Sequence, residues 1–118
     1  LDDDGERCLE WLLGYSPPIA GSRTLREFVK EAASAEVSEE SAVLERYGMY
    51  VRKTADGDKC VYFAATRKNR KISEIFKGSE WEGVNVKKVL LNVKGLKEQL
   101  FRPNTKLDYK ERAIRIPL

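Results

Sequence analysis

A chain of 118 residues, 42% hydrophobic and 35% charged, is long enough for one domain that buries its own core. Two distant cysteines without a single histidine argue against a disulfide framework or a zinc set, and no apolar run reaches the roughly 18 residues of a membrane span. The formal charge of +3 hides a split, because residues 1–65 hold 8 Lys/Arg against 13 Asp/Glu and residues 66–118 hold 14 against 6.

Such a separation suggests that one surface, in the second half, faces a polyanion, the alternative being a lysine-rich solvated face. The start Leu1-Asp2-Asp3-Asp4, with Met49 the only methionine, reads as a piece of a longer protein. No signal-peptide pattern is present, and Cys8 and Cys60 fit small buried residues of a reducing compartment. A soluble, cytoplasmic module without membrane contact is expected.

In chain order, Asp4 is placed to cap a first helix over 5–13, with Cys8, Leu9, Leu12 and Leu13 inward and Trp11 at the flank. Gly14 and Pro17-Pro18 end it, which leaves 15–21 as a linker and divides the chain into 1–21, helix and linker, and 22–118, the domain proper. Thr24-Leu25-Arg26-Glu27 has the form of a capping box, and Leu25, Phe28, Val29, Ala32 and Ala33 follow at helical spacing. Ser38 opens a third helix with Ala42, Val43 and Tyr47 inward and Gly48 at its end.

Residues 49–53 and 60–66 are β-branched and aromatic runs joined through Asp56-Gly57, a hairpin. Alternation places Val61, Phe63 and Ala65 on one side and Cys60, Tyr62 and Ala64 on the other. Exposed tyrosines on a sheet stack bases, but core packing is the stronger expectation for Tyr62 and Phe63. Next stands the densest basic cluster, Arg67-Lys68-Asn69-Arg70-Lys71, before a helix with Ile72, Ile75 and Phe76 inward. Cations at a helix start oppose its dipole, a cost that a polyanionic partner would offset.

Val86, Val89, Leu90 and Val93 form a helical stripe within 84–95, with Lys87, Lys88, Leu91 and Asn92 projected outward and Gly95 as the terminator. Two extended pieces follow, 96–101 and 112–117, around a basic turn with Lys106 and Lys110. Helix, connector, helix, strand, basic tip and returning strand is the layout of a winged helix. The expected fold is therefore α+β, a winged helix-turn-helix with extra N-terminal helices and a β-hairpin. Trp81, in the connector, is expected to plug the angle between the two helices.

No catalytic constellation is visible. Gly78 and Gly83 have phosphate-loop spacing, but Val84-Asn85 stand where lysine and Ser/Thr are required. Without histidine there is no imidazole base, and the carboxylates of the first half do not converge. A non-enzymatic module without cofactor or metal is expected.

The order of features from Leu25 onward resembles the C-terminal module of replicative helicases of phages, plasmids and other mobile elements, the primase-helicases and related domain-of-unknown-function AAA+ or superfamily-three ATPases. The residues that carry it are Arg46-Tyr47-Gly48-Met49-Tyr50, Asp56-Gly57-Asp58, Val61-Tyr62-Phe63, Ile72-Ser73-Glu74-Ile75-Phe76, Val86-Lys87-Lys88-Val89-Leu90, Gly95-Leu96 and Arg112-Ala113-Ile114-Arg115-Ile116-Pro117. The resemblance implies a winged-helix tail behind an ATPase, serving DNA replication, with DNA or other replication proteins as partners.

On the combined reading, Lys87, Lys88, Asn92 and Lys94 line a recognition helix. Arg67, Lys68, Arg70, Lys71, Lys106, Lys110 and Arg112 would grip flanking phosphates. The competing expectation is a module that docks a neighbouring helicase subunit or loader, with Trp81 and Leu91 as anchors. Steep salt dependence belongs to the first and not to the second.

Overall fold

The computed structural model describes residues 4–18, 23–34, 39–53, 56–64, 70–101 and 111–117, with the backbone alone described at 39–41, 70, 71, 101 and 111. It is mixed α+β: three helices, a hairpin, two helices and a second hairpin. Its elements are α1 (Asp4–Gly14), α2 (Leu25–Ala33), α3 (Glu39–Arg46), β1 (Met49–Lys53), β2 (Lys59–Phe63), α4 (Arg70–Phe76), α5 (Val86–Leu90), β3 (Lys97–Phe101) and β4 (Glu111–Pro117).

Local chemistry accounts for the helices. At α2 the capping box is complete: Thr24 accepts from the Glu27 amide while the Glu27 carboxylate accepts from the Thr24 amide. Leu25, Phe28, Val29 and Ala32 are all buried, so the helical stripe lies inward as its spacing requires. In α1, Cys8 and Leu12 are fully buried and Leu9 and Leu13 pack against them, whereas Trp11 is 42% exposed. Asp4 is the first residue of that helix rather than a cap outside it, and it pairs with Arg7. The third helix corrects one expectation. Ala42 is exposed and Leu44 is fully buried, so the inward face runs through Val43, Leu44 and Tyr47.

The four strands make one antiparallel sheet in the order β1-β2-β4-β3. Sequence alone presented two hairpins; the structure joins them through β2 and β4, where Val61 faces Ile116 and Phe63 faces Ile114. All helices contribute to a single core on one sheet face, in which Phe28, Leu44, Val61, Phe63, Ile75, Leu90 and Ile114 are buried together. The far face carries a smaller cluster of Cys60, Tyr62, Ala64 and Ala113, with Tyr50 against it. The alternation along β2 thus falls as the period of two demands, with Ala65 outside the described residues.

The segment after α1 is built into this body. Pro17 is fully buried, the Tyr15 carbonyl accepts from the Leu25 amide at 2.8 Å, and the Tyr15 and Tyr47 rings meet at 5.6 Å. α1 crosses α5 tightly at Gly5, where a Cβ would stand 2.8 Å from the Val89 carbonyl oxygen and 2.8 Å from a Val93 methyl. Among the described residues, no helix is long and apolar enough to cross a membrane.

Candidate nucleic-acid interface

The candidate surface is organised by α5, which is shorter than the stripe over 84–95 suggested. Regular i→i−4 bonding ends at Leu91, whose amide reaches the Lys87 carbonyl; Asn92 and Val93 then bond back only three residues, to Val89 and Leu90. Gly95 closes the segment at φ 94, a conformation that costs glycine little. Val86 and Leu90 are buried and Val89 and Val93 half-buried, so the apolar stripe still faces the core.

The tightened turn changes one anchor. Leu91 was projected outward at 100° per residue, but the helix has ended there, and the side chain is half-buried against the core. Trp81 is 8% exposed and belongs to the core. The exposed tryptophan is Trp11, whose indole N–H donates to the Ile75 carbonyl at 2.7 Å and whose ring lies 6.2 Å from that of Trp81. Its flank position on α1 was legible in the sequence; its exposure beside Trp81 was not.

The expected phosphate-binding residues separate into three groups. Lys88, Asn92 and Lys94 are exposed, and among the described residues neither lysine makes an ion pair. Lys87 and Arg112 are brought together on one carboxylate. The Lys87 ammonium stands 2.6 Å from Glu98 Oε2, and an Arg112 guanidinium nitrogen 2.9 Å from Glu98 Oε1. These charge-assisted bonds, that from Lys87 first, hold the Glu98 carboxyl below the usual carboxylate range. Arg70 and Lys71 lie in the first turn of α4, where only backbone is described; Arg67, Lys68, Lys106 and Lys110 lie outside the described residues.

The far face of the sheet adds cations outside the expected set. Strand register places Tyr50, Tyr62, Arg115 and Lys97 in one row across β1, β2, β4 and β3. Arg52, two residues along β1 from Tyr50, holds its guanidinium 5.4 Å from the centre of the Tyr50 ring. No described side chain of this face is a carboxylate. Tyr62 is buried, which raises its hydroxyl pKa, and it packs between strands rather than offering a stacking platform. Period-two alternation was the signal for Arg52 and Arg115, but the row exists only once β2 pairs with β4.

Burial, and behind it the Glu80 carboxylate, pushes the Cys8 thiol up to about 12, a poor nucleophile at neutral pH. Among the described residues, no group of three or more His, Cys, Asp or Glu is placed to hold a metal ion. No family model matches the chain, and no curated protein or solved structure matches it.

Proposed function

We propose that this chain is a DNA-binding module that acts without catalysis, holding phosphates on the basic surface of its second half. The observation that carries the reading is the exposed pair Lys88 and Lys94 with Asn92 on and just after α5, none of it neutralised by a described carboxylate, in the half whose charge is 14 Lys/Arg against 6 Asp/Glu. Lys97 continues the basic surface onto the edge strand β3, and Arg115 and Arg52 carry it across the far face of the sheet.

The finer reading is a winged helix. Its support is the order α4, α5, β3, β4, in which α5 would be the recognition helix and the β3–β4 hairpin the wing. Five residues make α5 a short reader, so phosphate contact rather than base recognition is its natural role. The ordered motifs from Leu25 to Pro117 support a place as the cytoplasmic C-terminal module of a mobile-element replication helicase, with DNA and other replication proteins as partners.

The test is fluorescence anisotropy of labelled duplex, forked and single-stranded oligonucleotides across a salt series. Binding should weaken log-linearly with salt, and Lys88→Glu/Lys94→Glu should abolish it. Failure to bind any of the three at low salt would refute the proposal.

A further inference from the structure

A groove of about 1120 Å³ lies between α1 and the turn at 78–81. Its apolar wall includes Leu9, Trp11, Trp81 and Val93. Its charged side chains are Glu6, Arg7, Glu10 and Glu80, one cation to three carboxylates. Arg7 is already committed: it pairs with Asp4 and, at 2.9 Å, with Glu80, and its guanidinium lies 5.8 Å from the centre of the Trp81 ring. This wall therefore holds one guanidinium by stacking it on indole and pairing it with carboxylates. Trp11, exposed beside it, has Glu6 and Glu10 on the same helix; Glu10 already holds Arg26 at 3.0 Å, which leaves Glu6 as the carboxylate beside a ring still open to solvent.

We propose that this groove docks an arginine-bearing apolar segment of a partner protein. An incoming guanidinium stacks on Trp11 and pairs with Glu6, while apolar side chains of the segment fill the floor beside Leu9 and Val93. Arginine suits the site better than lysine, because its planar, weakly hydrated head stacks on an aromatic face and bonds carboxylates along its edge. Nucleic acid does not suit it, since a rim of Glu6, Glu10 and Glu80 against Arg7 and Arg26 offers phosphate no excess of cations. An exposed tryptophan in a concave apolar setting is also the residue type on which docking energy concentrates. The inference is independent of the DNA reading, which rests on the opposite charge.

The chain has only two tryptophans, both in this groove, so emission excited selectively in tryptophan reports on it. The probe is a short synthetic peptide of alternating arginine and leucine, titrated into the intact chain, with a glutamate-for-arginine peptide as the comparison. The expected result is a saturable emission change with the arginine peptide only, weakened roughly tenfold or more by Trp11→Ala. Glu6→Lys, an exposed change outside any described bond, should weaken it also and keeps the test valid if the tryptophan variant folds poorly. DNA affinity of Trp11→Ala should match that of the parent. An absent response, an equal response to the glutamate peptide, or unchanged affinity in both variants would overturn the proposal. So would emission that tracks self-association without peptide, because a second copy would then occupy the groove.

Discussion

Gly5→Ala tests whether α1 is part of the domain or a detachable extension of it. An alanine methyl at this position would stand 2.8 Å from the Val89 carbonyl oxygen and 2.8 Å from a Val93 methyl. Comfortable carbon contacts lie about 3.5–4.0 Å apart, so both neighbours must retreat by more than half an ångström. Val93 can adjust its side chain, but the Val89 carbonyl is backbone and accepts the Asn92 amide at 3.2 Å, so its retreat disturbs the turn that ends α5. Overpacking costs about 1–3 kcal/mol, and about 2–3 here because one neighbour is backbone that cannot rotate away, against which alanine recovers at most about 1 kcal/mol of helix propensity. A net loss of about 1–2 kcal/mol follows. With an unfolding entropy of about 2.1 cal/mol/K per residue, that loss lowers Tm by roughly 4–8 °C. The assay is thermal unfolding by circular dichroism, with Gly14→Ala as the control, since a Cβ there meets nothing within 4 Å. The control should match or exceed the parent. A Gly5→Ala protein that melts at or above the parent temperature would refute the close crossing and restore α1 as an appendage.

Thr24→Ala removes the capping box of α2 and should destabilise by about 1 kcal/mol, read as a small Tm decrease; an unchanged Tm would deny the cap any energetic role. Because the Cys8 thiol is raised from 9.0 to about 12 in the folded state, its contribution to stability is complete below pH 9 and fades as pH rises toward 12. Thiol labelling of the native protein at pH 8 should accordingly leave Cys8 and Cys60, both buried, untouched until denaturant is added; prompt native labelling of either would contradict their burial. The depressed Glu98 carboxyl works in the opposite sense: its stabilisation is present above 4.5 and disappears as pH falls through its lower folded value, so parent and Glu98→Gln melting temperatures should converge in acid. Glu98→Gln should also bind DNA more tightly at neutral pH, and equal or weaker binding would mean that Lys87 and Arg112 do not face DNA.

What was legible in the sequence was whatever one short segment decides by itself. Thr24 and Glu27 announce their capping box because both partners lie within one turn, and Val61 and Phe63 part from Cys60 and Tyr62 because strand alternation is a property of the strand alone. Trp81 could be read as buried from its place in a connector between two amphipathic helices. What escaped depends on chain segments far apart. Pairing of Val61 with Ile116 merges two hairpins into one sheet, and no local pattern specifies it. The contact of Gly5 with Val89 and Val93 is of the same kind, as is the Lys87–Glu98–Arg112 cluster that occupies two expected phosphate ligands. Leu91 failed for a different reason, an ideal helical projection carried one residue past the end of the helix.

That carboxylate cluster makes ionic strength a structural probe as well as a test for DNA. Each phosphate neutralised on duplex DNA contributes about −0.9 to the slope of log affinity against log salt. If Lys87 and Arg112 stay on Glu98 when DNA binds, they add less to that slope, because both are held on one carboxylate, which cancels one of their two charges. Glu98→Gln releases both, and two new phosphate contacts would steepen the slope by about 1.8, however many contacts the remaining cations supply. A slope steeper by about half as much would mean that one of the two reaches the backbone. Lys87 is the half-buried partner and Arg112 the one with 70% of its side chain exposed, so Arg112 is the residue expected to move first. A slope that does not change, together with tighter binding, would instead assign Glu98 a purely repulsive influence on DNA, exerted through its charge rather than through the two cations it holds.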